Sequence, residues 1–213
     1  MKVAILGTGD VGKALGRGFL SRGHEVRMGS RDARNEKALA WAKQGGGKAS
    51  VGTFEEAARF GELAVLATNW MGTENALKLA GARNLAGKVV MDATNPLDFS
   101  SGKPRLAVNG NDSAGERVQK WAPEAKVVKV YNTVANALMV DPELPGGPPD
   151  MFIAGNDEAA KKKVEQIVRD FGWNVIDLGG IEQSRLLEPL AMVYIVHALK
   201  TGNWSIAWKL LRA

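Results

Sequence analysis

Residues 3–26 read VAILGTGDVGKALGRGFLSRGHEV, and their order decides the fold. An apolar run, Val3–Leu6, leads straight into Gly7, Gly9 and Gly12 in G-x-G-x-x-G spacing, then an amphipathic stretch over 11–22, then a second β-rich run, Glu25–Met28. The three glycines alone say little. Placed after a strand, at the opening of a helix and before another strand, they match the context in which such a loop cradles a dinucleotide. Gly7 permits the tight turn, Gly9 lets a pyrophosphate approach the backbone, and Gly12 lets the helix pack close to the strand. The first turn of that helix offers unpaired N–H groups and a positive dipole end to phosphates. Thr8, Asp10 and Val11 therefore join the glycines as candidate cofactor-binding residues.

The same alternation continues outward. Strand-like runs are expected at Leu63–Ala67, Val89–Asp92, Lys126–Val130, Met151–Ala154 and Asn174–Asp177, with a weaker one at Ala49–Val51. Helical stretches are expected near 34–43, 53–59, 73–80, 112–121 and 157–170. Strands that alternate with helices and are apolar throughout predict an α/β fold, a doubly wound, mostly parallel sheet of Rossmann type covered on both faces. The segment VDPELPGGPPD at 140–150 holds four of the eight prolines and marks a loop or boundary. The expected division is a nucleotide-binding domain over 1–138 and a small C-terminal strand–helix–strand and helical lobe over 139–213. From Gly180 onward the pattern predicts helix to the end, with Trp204 and Trp208 at i, i+4 spacing for core or dimer packing.

Bulk composition narrows the function. The chain has 213 residues, 45% hydrophobic and 24% charged, which is ordinary for a soluble globular protein. It has no cysteine, which excludes disulfides and thiolate chemistry, and its two histidines, His24 and His197, lie too far apart in sequence to suggest a metal site. The longest strongly apolar stretch, 190–196, is too short to span a membrane, and the N-terminus reads as a buried strand rather than a signal peptide. A cytoplasmic location with no membrane or nucleic-acid partner is the expectation. The net charge is +5, and residues 1–50 hold 10 Lys and Arg against 4 Asp and Glu, so all of the positive excess lies in the first quarter. A compact polyanion such as a phosphorylated cofactor suits that placement.

The segment VRMGSRDAR at 26–34 follows the second strand, where an NAD-binding protein places an acid on the ribose 2′-hydroxyl. Here Ser30 offers a hydroxyl and Arg31 a forked, permanently charged partner for a 2′-phosphate, with Arg34 and Lys37 placed to join them. Asp32 is assigned to capping the following helix. The expected cofactor is NADP(H) rather than NAD(H).

Ligands of open α/β sheets lie beyond the carboxyl ends of the strands. Three strand ends carry an asparagine beside a threonine: Thr68–Asn69, Thr94–Asn95 and Asn132–Thr133. They are candidates for bonding ribose hydroxyls or the nicotinamide amide. No acid or base is evident. Tyr131 and Tyr194 lack a lysine four residues on, and His197 sits in an apolar run that suggests a core residue. The triple lysine at 161–163 is expected on a solvated helix face. An enzyme without an acid or base can still move hydride between two ring systems by orienting them. A non-catalytic NADPH-sensing module and a reductase of a small carbonyl or imine remain the alternatives.

The stretches GTGDVGKALGRGF, GHEVRMGSR, LAVLATNW, VVMDATNPL, VVKVYNT and the tail DLGGIEQSRLLEPLAMV together resemble the NADPH-dependent coenzyme F420 reductases, or deazaflavin-dependent NADP oxidoreductases, over nearly the whole chain. The sequence also resembles the cytosolic domain of six-transmembrane metalloreductases, without their membrane half. The resemblance implies hydride transfer between NADPH and a (deaza)flavin, coenzyme F420 or FMN/FAD, as an exchangeable small-molecule acceptor, and the helical tail suggests a homodimer. It implies Ser30 and Arg31 as the 2′-phosphate grip, Trp70 as a tryptophan beside the rings, and Thr133, Asn203 and Trp204 as acceptor-side residues. Asn132–Ala135 and Asn69 depart from the archaeal pattern, and the Asn132 version resembles the metalloreductase branch and many bacterial relatives.

Overall fold

Val3, Ala4, Ile5 and Leu6 are fully buried because strand β1 (Lys2–Leu6) runs through a sheet covered on both faces. In the computed structural model, which describes residues 1–211, nine further strands follow. They are β2 (Glu25–Ser30), β3 (Ala49–Thr53), β4 (Leu63–Leu66), β5 (Val89–Asp92), β6 (Leu97–Asp98), β7 (Arg105–Leu106), β8 (Lys126–Lys129), β9 (Asp150–Gly155) and β10 (Asn174–Asp177). The helices are α1 (Asp10–Ser21), α2 (Glu36–Gly45), α3 (Phe54–Phe60), α4 (Trp70–Ala80), α5 (Ala82–Leu85), α6 (Ala114–Trp121), α7 (Glu158–Asp170) and α8 (Ser184–Thr201). Eight strands form one sheet in the order β10-β9-β8-β5-β4-β1-β2-β3. All pairs are parallel except β8 with β9, so β9 and β10 run against the other six. The order reverses between β1 and β4, which opens a crevice at their carboxyl ends. The mostly parallel, doubly wound α/β expectation holds.

Alternate residues of each strand feed two cores. Val3 and Ile5 pack with Leu15 and Phe19 of α1 on one face, whereas Ala4 and Leu6 pack with Phe54 and Ala57 of α3 on the other. Burying apolar area on both faces is the main driving force for the layered arrangement. Five helices begin on a side-chain cap: Asn35 for α2, Thr53 for α3, Asn69 for α4, Ser113 for α6 and Asp157 for α7. α1 begins on Gly9 with no side-chain cap.

Several expectations shift. α2 starts at Glu36 and its cap is Asn35, not Asp32, because the chain first makes a turn over 30–34. β2 continues to Ser30, past the expected end at Met28. Lys161 is buried rather than solvated, its ammonium held by Glu158 at 2.7 Å and Asp177 at 2.8 Å. Helix α8 stops at Gly202, whose φ of 72° is left-handed, and the described residues beyond it, 203–211, are not helical. That tail returns to the sheet: the Asp150 amide donates to the Trp208 carbonyl, and the Leu210 amide to Asp150 Oδ2. No helix among the described residues is long and apolar enough to cross a membrane.

Candidate functional site

The crevice holds two adjoining hollows that share Gly9, Ala67, Thr68, Asn69 and Met71. The outer one, of about 1150 Å³, runs from the glycine loop to Ser30 and Arg31. The inner one, of about 520 Å³, lies beyond β4 and β5 and ends at Tyr194.

Gly7 and Gly12 stand where their spacing predicts a tight turn and a close helix–strand approach. Gly7 has φ +134°, and a Cβ there would overlap the Ala67 carbonyl; a Cβ on Gly12 would press on the Gly7 carbonyl. A Cβ on Gly9 would meet no atom within 4 Å, so the loop leaves open space there, facing the groove. Gly9 precedes the uncapped start of α1, whose first N–H groups lack intrahelical partners. An open cradle in front of free amides fits a pyrophosphate. Thr8 lines the outer hollow, Asp10 and Val11 the inner one. Asp10 is paired with Lys13 at 3.3 Å.

At the far end of the outer hollow the chain makes a tight polar turn. The Ser30 hydroxyl, buried, donates to the Asp32 carbonyl, and Asp32 Oδ1 accepts from the Arg34 amide and, at 3.4 Å, from its guanidinium. Those contacts, the backbone amide foremost, hold the Asp32 carboxyl below the usual carboxylate range. Arg34 is thus engaged within the turn. Arg31 is exposed, lines the hollow and makes no ion pair among the described residues. Lys37 lines the same wall, with Asn35 and Glu36. Met71 and Asn75 of α4 face them across the hollow without having been singled out in the sequence.

The inner hollow is more apolar. Trp70 lines it and packs against Trp121, ring centroids 5.4 Å apart; Leu97 and Phe99 of the hairpin β6–β7 form another wall. Asn69 lines both hollows, but its side chain is committed to capping α4 through the Gly72 amide. Thr68 bonds Thr73 at 2.9 Å. Tyr194 of α8 closes the end; its hydroxyl donates to the Val134 carbonyl at 3.4 Å, and burial pushes its pKa up to about 12. Asp98 is pushed down to about 2 by the Ser100 amide and hydroxyl and by Arg105.

The strand-end asparagines meet, though not all in the groove. Asn95 lines the inner hollow and donates to the Asn132 carbonyl at 2.6 Å; Asn132 donates back to Asn95 Oδ1 and to the Leu187 carbonyl at 3.0 Å. Asn132 and Thr133 are buried behind this wall, at 1% and 2% exposure, and line neither hollow. Beneath Asn95 lies a charged cluster. Lys129 Nζ contacts Asp92 at 3.1 Å, Glu188 at 3.0 Å and the Thr94 carbonyl at 2.7 Å, all with side chains at most 2% exposed. Burial opposes the ammonium's charge, but Asp92 and Glu188 outweigh it and raise its pKa. Glu188 also accepts from the Ala114 and Gly115 amides at the start of α6. A lysine inside the apolar VVKV strand and an aspartate ending VVMD were the signals in the sequence that mark it.

The C-terminal candidates sit further out. Trp204 is 42% exposed and meets Tyr194 edge-on at 6.4 Å, so it backs the inner wall rather than lining it. Asn203 is exposed and accepts from the Ser205 amide. Trp208 packs with Ile206 near α8 rather than on a helix with Trp204. His197 is exposed on α8, not in the core.

Comparison with known proteins gives a consistent picture. A family pattern described as "NADP oxidoreductase coenzyme F420-dependent" matches residues 2–96. The F420-dependent NADP reductase of Methanocaldococcus jannaschii is 34% identical, over 92% of this chain and 91% of its own. Metalloreductase STEAP3 of Rattus norvegicus is 29% identical over 90% of this chain, but over 36% of its own length. A crystal structure from Arthrobacter sp. FB24, titled as a candidate F420-dependent NADP-reductase, covers all of both chains at 40% identity with a TM-score of 0.94.

Proposed function

Because the chain belongs to the coenzyme F420-dependent NADP oxidoreductase family and is an NADP-dependent oxidoreductase, we propose that it moves hydride between NADPH and a planar (deaza)flavin ring, coenzyme F420 first and FMN or FAD second. The observation that carries this is one groove with two unlike ends: an open, amide-lined cradle with a free arginine, continuous with an aromatic-walled chamber.

Gly7, Thr8, Gly9 and Gly12, with the amides of Asp10 and Val11, hold the pyrophosphate in this reading. Ser30 shapes the turn that presents Arg31 to the 2′-phosphate, with Lys37 beside it and Arg34 braced on Asp32. Met71 and Asn75 flank the adenine. Thr68, Asn69, Trp70 and Asn95 frame the nicotinamide, with Asn132 and Thr133 behind them. When bound, NADPH supplies the hydride. The protein orients the two rings and excludes water, which on effective-molarity grounds is where most of the acceleration of such a step lies. The chamber's Asp98 stays ionised and Tyr194 stays protonated across the neutral range, so neither trades protons with a ligand there.

Residues 139–213 complete the chamber through Tyr194 and, in this reading, supply a homodimer contact through Val193, Val196 and Leu199. These side chains are exposed on one face of α8 at 57%, 52% and 54%. Stopped-flow mixing of NADPH with F420, FMN and FAD in turn tests the activity. Oxidation of NADPH with F420 fastest is expected. No oxidation with any of the three, despite tight NADPH binding, would make the chain a sensor rather than an enzyme.

A further inference from the structure

Lys129, Asp92 and Glu188 touch neither hollow, yet they tie together two of the inner chamber's walls. Asp92 Oδ1 accepts from both the amide and the hydroxyl of Thr94, at 2.9 and 2.7 Å, while Lys129 Nζ holds the Thr94 carbonyl. Three bonds thus fix Thr94, which with Ala93 and Asn95 lines the chamber. The same ammonium holds Glu188, which lies on α8 six residues before Tyr194, about 9 Å along the helix axis. Glu188 in turn receives the first amides of α6. The cluster buries one cation against two carboxylates, and those amides meet the excess negative charge. An arrangement so costly to bury persists only when every group is satisfied, and it then has one geometry rather than several.

Resting on the function proposed above, we propose that Lys129, Asp92 and Glu188 are positioning residues for hydride transfer, fixing the distance between the Ala93–Asn95 wall and the Tyr194 wall so that the two rings meet in register. The cluster acts on the ring end alone. The phosphate end is built by the glycine loop and the turn over 30–34, and none of the cluster's hydrogen bonds or ion pairs reaches either segment. Loosening the cluster therefore slows transfer far more than it weakens NADPH.

Lys161 provides an internal control. It is also a buried lysine held by two carboxylates, Glu158 and Asp177, but it stands on α7 beside β10 at the far edge of the sheet. Lys129→Met would strand two acids in the core, so the test uses Glu188→Gln and, as a second variant, Asp92→Asn, which keeps the Oδ1 acceptor for Thr94. Three quantities are read in each full-length variant: amide hydrogen exchange at 93–95 and 190–194 without ligand, the Kd for NADPH, and the single-turnover transfer rate at saturating F420 or FMN. Expected are faster exchange at both segments, a Kd within about twofold of wild type, and a transfer rate down about tenfold or more, since a misplacement of the order of 1 Å costs up to about a hundredfold. Lys161→Met should lower the melting temperature while leaving exchange at 93–95 and the transfer rate within about twofold.

The proposal is overturned if transfer and exchange stay at wild-type values in both acid variants, if NADPH affinity falls in step with the rate, or if Lys161→Met slows transfer as much. A wild-type protein that oxidises no NADPH with either acceptor sinks the proposed function instead. Unchanged exchange at 93–95 in the acid variants would sink the positioning role whether or not the wild type turns over.

Discussion

The phosphate end and the ring end of the groove are assembled over different distances along the chain. At the phosphate end the turn that presents Arg31 is held by local bonds: Ser30 to Asp32 and Asp32 to Arg34 span two residues, and Asn35 to Ala38 spans three. At the ring end the partners are remote: Asp92 and Lys129 are 37 residues apart, Asn132 and Leu187 are 55, Ala114 and Glu188 are 74. A local module forms its ligand contacts wherever its few residues take the right turn. A remote one exists only once the whole sheet and α8 have packed. On the proposed function, substitutions at the two ends should therefore separate affinity for the cofactor from speed of transfer.

The largest effect is expected at Gly7, where the phosphate end rests on β4. Gly7→Ala places a Cβ on the Ala67 carbonyl at a φ that side chains rarely adopt. Strain of about 1–3 kcal/mol from the backbone, with the overlap added, should cost roughly 3 kcal/mol or more of stability, read as a fall in the melting temperature of about 6–12 °C. Gly9→Ala meets no protein atom, so it should melt like the wild type while binding NADPH at least about tenfold more weakly, as the cradle fills. If both variants lost stability alike, the division of labour between the two glycines would be wrong.

A smaller effect sharpens the contrast. Arg31→Ala should weaken NADPH binding by about 1.5–3 kcal/mol, the scale of a charge-assisted bond, and leave NADH binding and the single-turnover transfer rate nearly unchanged. Isothermal titration with both nucleotides reads the first, stopped flow the second. Equal losses for the two nucleotides would remove Arg31 from the 2′-phosphate.

The same difference in span explains what the sequence could disclose. The glycine loop, β1 and β2 declare themselves because spacing over a few residues carries them. The helix boundary after Arg31 slipped because Asp32 and Asn35 are both good caps, and the turn over 30–35 spends Asp32 on the Arg34 amide and leaves Asn35 to cap α2. In the tail, Trp204 and Trp208 invite a helical reading. Trp204, Ile206 and Trp208 also alternate, and Gly202 in a left-handed turn ends α8 before them. His197 was expected inside because α8 is apolar on two faces. Leu187, Ala191, Tyr194 and Ile195 fill the inner face, and His197 falls on the outer one with Val193 and Val196. Of the strand-end asparagines, Asn69 and Asn95 line the groove and Asn132 is buried behind it, and the mutual bonds of Asn95 and Asn132 join segments whose proximity no periodicity reports. The cluster at Lys129 is of the same kind: each member is visible as a charge in an apolar strand or helix, and the pairing is not.

The smallest expected effect tests whether any part of the ring end is local. The hairpin β6–β7 is such a part, since Asp98 accepts from the Ser100 amide at 2.8 Å and pairs with Arg105 seven residues on. Its carboxyl is lowered from 3.8 to about 2 in the folded chain. A lowered folded value means that the ionised form stabilises the hairpin. That contribution is complete above about pH 3.8 and is lost as pH falls through about 2. The Ser100 amide resonance should titrate with a midpoint near 2, and Asp98→Asn should abolish the titration. Asp98 is partly exposed and Arg105 exposed, so the pair is screened and its effect on the chamber is modest. Because Phe99 rides on this hairpin at the chamber wall, Asp98→Asn should raise the acceptor KM by about two- to threefold at neutral pH, the scale of one surface ion pair, with the NADPH Kd unchanged. A midpoint near 3.8 would mean the carboxylate does not hold the hairpin. A parallel loss of NADPH affinity would mean that the two ends of the groove are coupled after all.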